Sequence, residues 1–326
     1  MTSPLTSTVE LEPFDLFMQD HRLYRSAFQQ LADSSRVLVT SAQMVFELYP
    51  SELGPVADDI LSFATQAYPS DFVQMYLSRV DRLAELQQIF DAHPSLETLG
   101  NGRRVDPASY GVALLLSIVF TNHRFEIMRN VRSFLQQLSS SQTPGSMVSI
   151  GCGTGYELKL AGELLSGWRI AAYDTDADMR AQAHQLLEFF HLGNKVEFRE
   201  YFPLGASADQ KGMYDAIMLC EVLEHLANPA DALLTLGDCL KPDGRMFVTM
   251  AINLAQEDHT YLYQDVSACR HQLQRSGLQI VEEWLAPQSV FLLPPDRETG
   301  FKKGNYIATV KKDMSGEAPA STQEID

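Results

Sequence analysis

Two kinds of hydrophobic periodicity divide the chain. From Phe14 to about Ser139, apolar residues recur at helical spacing and strand-like alternation is almost absent. Phe14–Leu31 carries the pattern in Phe14, Leu16, Phe17, Tyr24, Phe28 and Leu31. Pro55–Tyr68, Asp71–Ala92 and a long segment from Pro107 to Leu138 continue it, and Pro50, Pro69, Pro94 and Pro107 punctuate it as helix boundaries. Gly111–Phe120 is apolar all round, which predicts a helix buried on all sides. Thr121, Asn122, His123, Arg124 and Glu126 follow at once. His123 and Arg124 are therefore expected where this helix leaves the core and meets solvent, with Asn122 a candidate for the edge of a closed cavity.

The polar stretch Ser139–Gly145 ends the helical half. Beyond it, short apolar runs alternate with helical ones. Met147–Ile150, Trp168–Asp174, Lys195–Arg199, Asp215–Leu219 and Arg245–Met250 read as strands. Tyr156–Leu165, Ala177–Phe190 and Pro229–Leu240 read as helices, the last capped by Asn228 with Pro229 at its first position. The sequence Lys-Pro-Asp-Gly that follows reads as a turn. Such alternation predicts a parallel sheet covered on both faces. The expected division is a helical cap over residues 1–145, an α/β domain over 146–312, and a polar tail over 313–326 expected to be disordered.

Chemistry enters at the first strand. Gly151, Gly153 and Gly155 alternate in a turn between strand and helix, where a backbone free to take positive φ presents helix N-terminal amides to a polar ligand. Asp174 closes the second strand, about twenty residues on, where such folds hold a ribose diol. Cys220 and Glu221 close the fourth. All three features fall at strand carboxyl ends, the edge at which open α/β sheets bind ligands. Together they describe a site for an adenosine-containing molecule.

Composition narrows the class. The 326 residues exceed one typical domain, and 45% are hydrophobic, enough for a sizeable core. A net charge of −17 disfavours a nucleic-acid partner. No apolar run suggests a membrane span, and the N-terminus lacks the basic-then-apolar pattern of a secretory signal. Cys152, Cys220, Cys239 and Cys269 show no CxxC pairing, which points to reduced thiols in a cytoplasmic protein and to no metal-ligand constellation. The helical half contains no lysine; the first is Lys159. Oligomeric state stays open.

The turn Ser149–Gly155, the segments Tyr173–Met179 (YDTDADM) and Tyr214–Leu226 (YDAIMLCEVLEHL), and Leu240–Gly244 (LKPDG) occur in the order found in class I S-adenosylmethionine-dependent methyltransferases. The sequence resembles that superfamily from about Met147 to Val310. The resemblance implies a Rossmann-like fold with a mostly parallel seven-stranded sheet and an N-terminal helical cap. It also implies S-adenosylmethionine bound by Gly151, Cys152, Gly153, Gly155, Asp174, Thr175, Glu200, Cys220 and Glu221. Asp174 would hold the ribose hydroxyls and Glu221 the ammonium of the methionine end. Tyr156, after the turn, could set its ring against the sulfonium. Asp176 or Asp178 could cap the next helix.

Two positions depart from the superfamily pattern. Ser149 stands where many relatives carry an acid, and Glu200-Tyr-Phe-Pro203 replaces the usual Gly-Asp beside the adenine, leaving Glu200, Tyr201 or Phe202 as substitutes. The leading expectation is methyl transfer to a small-molecule acceptor under a helical lid, with Tyr156, Asn122 and Glu221 as candidate catalytic residues. A second is intramolecular cyclisation of S-adenosylmethionine, since the long helical portion is also similar to azetidine-2-carboxylate synthases. A third is a cofactor-binding scaffold without turnover. His225 reads as structural, and His259, after the fifth strand, stands where acceptor-site residues often sit.

Overall fold

The computed structural model describes residues 12–92, 106–140, 143–202, 211–288 and 303–314. Seven helices come first: α1 (Pro13–Asp20), α2 (Arg22–Ser34), α3 (Arg36–Leu48), α4 (Pro50–Ala67), α5 (Phe72–Ala92), α6 (Pro107–Phe120) and α7 (Asn122–Ser139). Residues of the expected boundary at 141–142, and the expected tail from 315 onward, lie outside the described residues.

Capping explains where several of these helices start. Asp106 accepts a hydrogen bond from the Ser109 amide at 2.8 Å, with Pro107 at the first helical position of α6. Ser35 accepts from the Leu38 amide at the head of α3, a helix whose start no proline marks in the sequence. The segment Phe14–Leu31 is two helices, broken at His21, whose ring bonds Asp58 at 2.9 Å. The long segment from Pro107 is likewise broken. Thr121 is extended (φ −132°, ψ 132°), and the chain restarts as α7. This break turns His123 and Arg124 inward, so the expectation that they meet solvent is corrected: His123 is buried and the Arg124 side chain is 14% exposed.

The sheet comprises β1 (Ser146–Ile150), β2 (Arg169–Tyr173), β3 (Val196–Arg199), β4 (Tyr214–Leu219), β5 (Leu240–Ile252), β6 (Leu278–Pro287) and β7 (Gly304–Lys312). Its order is β3-β2-β1-β4-β5-β7-β6. The first five strands pair in parallel and β7 enters antiparallel between β5 and β6. Helices α8 (Tyr156–Leu164), α9 (Ala177–Phe189), α10 (Pro229–Cys239) and α11 (Val266–Arg275) cover its faces. Asn228 caps α10, and Asp176 caps α9 by accepting from the Asp178 and Met179 amides. The predicted Lys241–Gly244 turn lies inside β5, where the pairing with β4 shifts between Tyr214 and Ala216. This is a class I methyltransferase arrangement preceded by helices. Among the described residues, no helix is long and apolar enough to cross a membrane.

The buried core does not stop at the boundary between helices and sheet. Phe63 and Tyr76 of the helical half share one cluster with Met147, Leu158, Phe247 and Ile307 of the sheet half. Phe134 of α7 packs on Phe247 of β5 with ring centroids 5.5 Å apart. A polar clasp joins the halves as well. Lys159 of α8, only 4% exposed, is paired with Asp59 of α4 and, at 2.9 Å, with Glu163. Its ammonium also lies over the Phe190 ring at 4.7 Å.

A buried cation shared by both halves should matter to stability. Lys159→Met is expected to lower the unfolding free energy by about 2–3 kcal/mol, below the usual range for a broken buried pair because Asp59 can recover some hydration. Urea unfolding checks it. A change within about 0.5 kcal/mol, the range of ordinary surface substitutions, would show that the clasp contributes nothing.

Candidate cofactor and acceptor site

A cavity of about 700 Å³ opens at the carboxyl ends of β1, β2 and β4 and is roofed by α6 and α7. The glycine turn forms its floor. Gly151, Gly153 and Gly155 all take positive φ (68°, 48° and 78°). At Gly155 a Cβ would meet the Ala183 Cβ at 2.8 Å, so packing of α8 on α9 requires glycine there. At Gly153 the only close neighbour of such a Cβ would be Leu114 at 3.5 Å, leaving the turn open to a ligand. Asp174 reaches into this space. One carboxylate oxygen accepts from the Gly153 amide and the other from the Asp176 amide, both at 2.9 Å. Each oxygen keeps a lone pair, enough for a vicinal diol. Burial raises the Asp174 pKa, and the two amides pull it back.

The expected residues gather here with two exceptions, Gly155 and Asn122. Gly151, Cys152, Gly153, Tyr156, Asp174, Thr175, Glu200, Cys220 and Glu221 all line the cavity. Gly155 lies behind it and sets the turn. Glu200 and Tyr201 are exposed at the rim, whereas Phe202 is buried edge-on against Tyr173 with centroids 5.1 Å apart. Asn122 lies elsewhere. Its amide donates to the Pro287 carbonyl at 2.8 Å, tying α7 to the end of β6, and it does not line the cavity. The helical break at Thr121 that turns Arg124 inward leaves Asn122 on a different side.

Arg124 is the site residue that sequence reasoning missed. Its guanidinium pairs with Glu221 at 3.0 Å, and its Nε has no partner among the described residues. Glu221 is held in the left-handed region (φ 56°), a costly place for a residue other than glycine. Its amide donates to the Thr249 hydroxyl at 2.7 Å, and one carboxylate oxygen accepts from Thr249 at 2.8 Å and from Asn305 at 2.6 Å. Thr249 and Asn305 are fully buried on β5 and β7. The ion pair forms a wall. Arg124, Glu221, Tyr110 and Leu114 line both the large cavity and a second one of about 100 Å³ between α5, α6 and the chain after β5.

Glu157, in the first turn of α8, is a second residue that pattern alone does not mark. It is buried, faces the large cavity, and burial pushes its carboxyl up to about 7. Its offset of two residues from Gly155 was the available signal. Burial likewise raises the thiols of Cys152 and Cys220, so both stay protonated at neutral pH. The Tyr156 hydroxyl is raised too, with Asp59 adding to the effect of burial, which makes it no proton acceptor.

The segment after β5 closes the far side. Gln87 of α5 donates to the Asn253 carbonyl at 3.1 Å and accepts from the Ala255 amide at 3.0 Å. Arg79 of α5 pairs with Glu257 at 2.8 Å and holds that carboxyl below its ordinary value. The segment so clamped carries Asp258 and His259, which approach Glu224 and His225 from the 3-10 turn Leu223–His225. Donor atoms of Glu224, His225 and His259 lie within 4.8 Å of one another. The Thr260 and Tyr261 amides donate to the Glu224 carbonyl at 2.8 and 2.9 Å, so the segment is tied directly to this turn as well as to α5.

The fold and this cavity are those of the class I methyltransferase arrangement. The chain belongs to the methyltransferase domain family, whose model matches residues 120–283, half of the chain. Among curated proteins it is similar to the ubiquinone biosynthesis O-methyltransferase of Dechloromonas aromatica (strain RCB), 25% identical over 37% of this chain and 50% of that one. It is also similar to the enzyme of the same name from Marinobacter nauticus, 31% identical over 31% of this chain and 42% of that one. The chain spans about half the length of the curated relatives it matches. Among solved structures, it is similar to the Burkholderia thailandensis 1,6-didemethyltoxoflavin-N1-methyltransferase with bound 1,6-didemethyltoxoflavin and S-adenosylhomocysteine. That match has a TM-score of 0.44 and 16% identity over 64% of this chain and 92% of that one. The residues present suit S-adenosylmethionine: an acid with lone pairs left for a diol, an open glycine turn, and an arginine among the lining side chains.

The raised Glu157 pKa makes a prediction for the protein without cofactor. A carboxyl near 7 when folded and about 4.5 when unfolded favours the folded state below the lower value, and that advantage is lost as pH rises through 7. The loss is bounded at about 3 kcal/mol. Glu157→Gln should remove it, so the stability difference between variant and wild type is expected to change between pH 5 and 8 in the variant's favour. Thermal melts across that range check this; a difference independent of pH would refute it.

Proposed function

We propose that this chain transfers a methyl group from S-adenosylmethionine to a small-molecule acceptor held between the carboxyl edge of its sheet and the helices of residues 1–145, which serve as a lid. One observation carries the reading: the small cavity beside the cofactor cavity, divided from it only by the Arg124–Glu221 pair and the shared side chains Tyr110 and Leu114. An acceptor entering from the lid side would reach the reactive end of the cofactor across that wall. The similarity to O-methyltransferases supports an oxygen acceptor.

Roles follow from position. Asp174 accepts the ribose hydroxyls. Glu200 and Tyr201 stand at the adenine end, where the rim is open. Arg124 takes the methionine carboxylate through its free Nε edge, and Glu221 orients the ammonium. Tyr156 is a wall that keeps water out of the sulfonium end. The bound cofactor supplies an electrophilic methyl on a positively charged sulfur. The protein's task is then alignment and exclusion of water, helped by Ile118, Ile127 and Met128 in the roof. Glu157, ionising near neutrality, is placed to take the proton of an oxygen acid.

Two measurements test this. Asp174→Ala is expected to weaken S-adenosylmethionine binding at least about tenfold in calorimetry, since it deletes a charged acceptor of two hydrogen bonds. Mass spectrometry of products should show S-adenosylhomocysteine only when a hydroxylated small molecule is added. Methylthioadenosine formed from S-adenosylmethionine alone would replace methyl transfer with cyclisation. No product with any acceptor would leave a binding scaffold.

A further inference from the structure

The reaction just described uses neither Glu224 nor His259. Glu224 is 1% exposed, and neither of its carboxylate oxygens has a hydrogen-bond partner among the described residues. A buried carboxylate without a hydrogen-bond donor is costly. His259 is 5% exposed; its Nδ1 lies 2.9 Å from the Leu254 carbonyl, so that nitrogen carries the proton and donates. Its Nε2 is left with a free lone pair and no partner among the described residues. His225 meets His259 edge-on at 4.9 Å between centroids, and its own Nδ1 is 3.2 Å from the Asp258 carbonyl. An imidazole fixed through one nitrogen by a backbone carbonyl, with the other free, is the arrangement by which proteins present histidine to a metal.

We propose that Glu224, His225 and His259 bind one divalent first-row transition metal ion of the zinc or cobalt type. The donor set is two imidazole nitrogens and one carboxylate, as in catalytic zinc sites; calcium and magnesium favour oxygen donors throughout. Bonds of about 2.0–2.2 Å require the three donors to draw together from their present separation of up to 4.8 Å. The unpartnered atoms of Glu224 and His259 leave them free to do so. A fourth coordination position would face the large cavity, because His225 and Asp258 line it. Metal binding stands independently of methyl transfer. Its use rests on that reading: an acceptor oxygen on the metal would ionise at neutral pH.

Chelator-stripped full-length protein, titrated with Zn²⁺ and separately with Co²⁺, should take up one equivalent by elemental analysis, and the cobalt form should show visible d–d absorption. Glu224→Gln and His259→Gln should each weaken Co²⁺ binding at least about tenfold while retaining the far-ultraviolet circular dichroism and S-adenosylmethionine affinity of the wild type. The proposal is overturned if the folded wild type takes up neither ion, binds only Mg²⁺, or binds Co²⁺ equally in these variants. Should the variants lose their fold, the cobalt spectrum of the wild type takes their place, and absence of imidazole-ligated bands there overturns the proposal equally. None of these readouts depends on turnover, so failure of the methyl-transfer reading would appear separately, in the product assay.

Discussion

The site depends on one ion pair. Arg124 and Glu221 join α7 to the carboxyl end of β4, and Glu221 is tied in turn to β5 and β7 through Thr249 and Asn305. Four elements from both halves therefore meet at a single carboxylate. Its backbone sits in the left-handed region, which an isolated glutamate would not hold. The surrounding bonds over-determine it. Losing any of them frees the others, so the position of the wall between the two cavities is a property of the whole arrangement. Charge at this point also sets its neighbours: Glu221 adds to the burial that raises Cys220 and Glu224, and Arg124 opposes it.

Much of the sheet half was legible because its signals are local. The glycine turn, the acid at Asp174 and the alternation of apolar runs depend on residues close in sequence, and five strands and three helices fall near where the pattern put them. What escaped was non-local. Nothing adjacent to Arg124 shows that Thr121 breaks the helix and turns the guanidinium inward. Asn122 and Arg124 are nearly equivalent on a sequence, but one bonds Pro287 and the other faces the cavity. The final pair of strands, β6 and β7, follows the same logic. Their order in the sheet reverses their order in the chain, a matter of long-range pairing.

The loop after β5 shows how the helical half shapes chemistry without touching the cofactor. Gln87 and Arg79 of α5 hold residues 253–257 by backbone and charge. The Thr260 and Tyr261 amides then donate to the Glu224 carbonyl and set His259 beside it. Side chains on an early helix thus brace a loop whose own hydrogen bonds build the cluster. The same physics makes the cluster hard to infer from pattern: its members are ordinary residues until their loop folds back onto the turn at Glu224.

The continuity of the core has an evolutionary corollary. Residues that roof the cavity, such as Ile118, Ile127 and Met128, belong to the same packed cluster that joins helices to sheet. Enlarging the roof for a new acceptor removes methylenes from that cluster, at a cost of roughly 1 kcal/mol for each small truncation. Change in the shape of this cavity is therefore paced by spare stability, and buried side chains far from the roof become permissive sites whose improvement must come first.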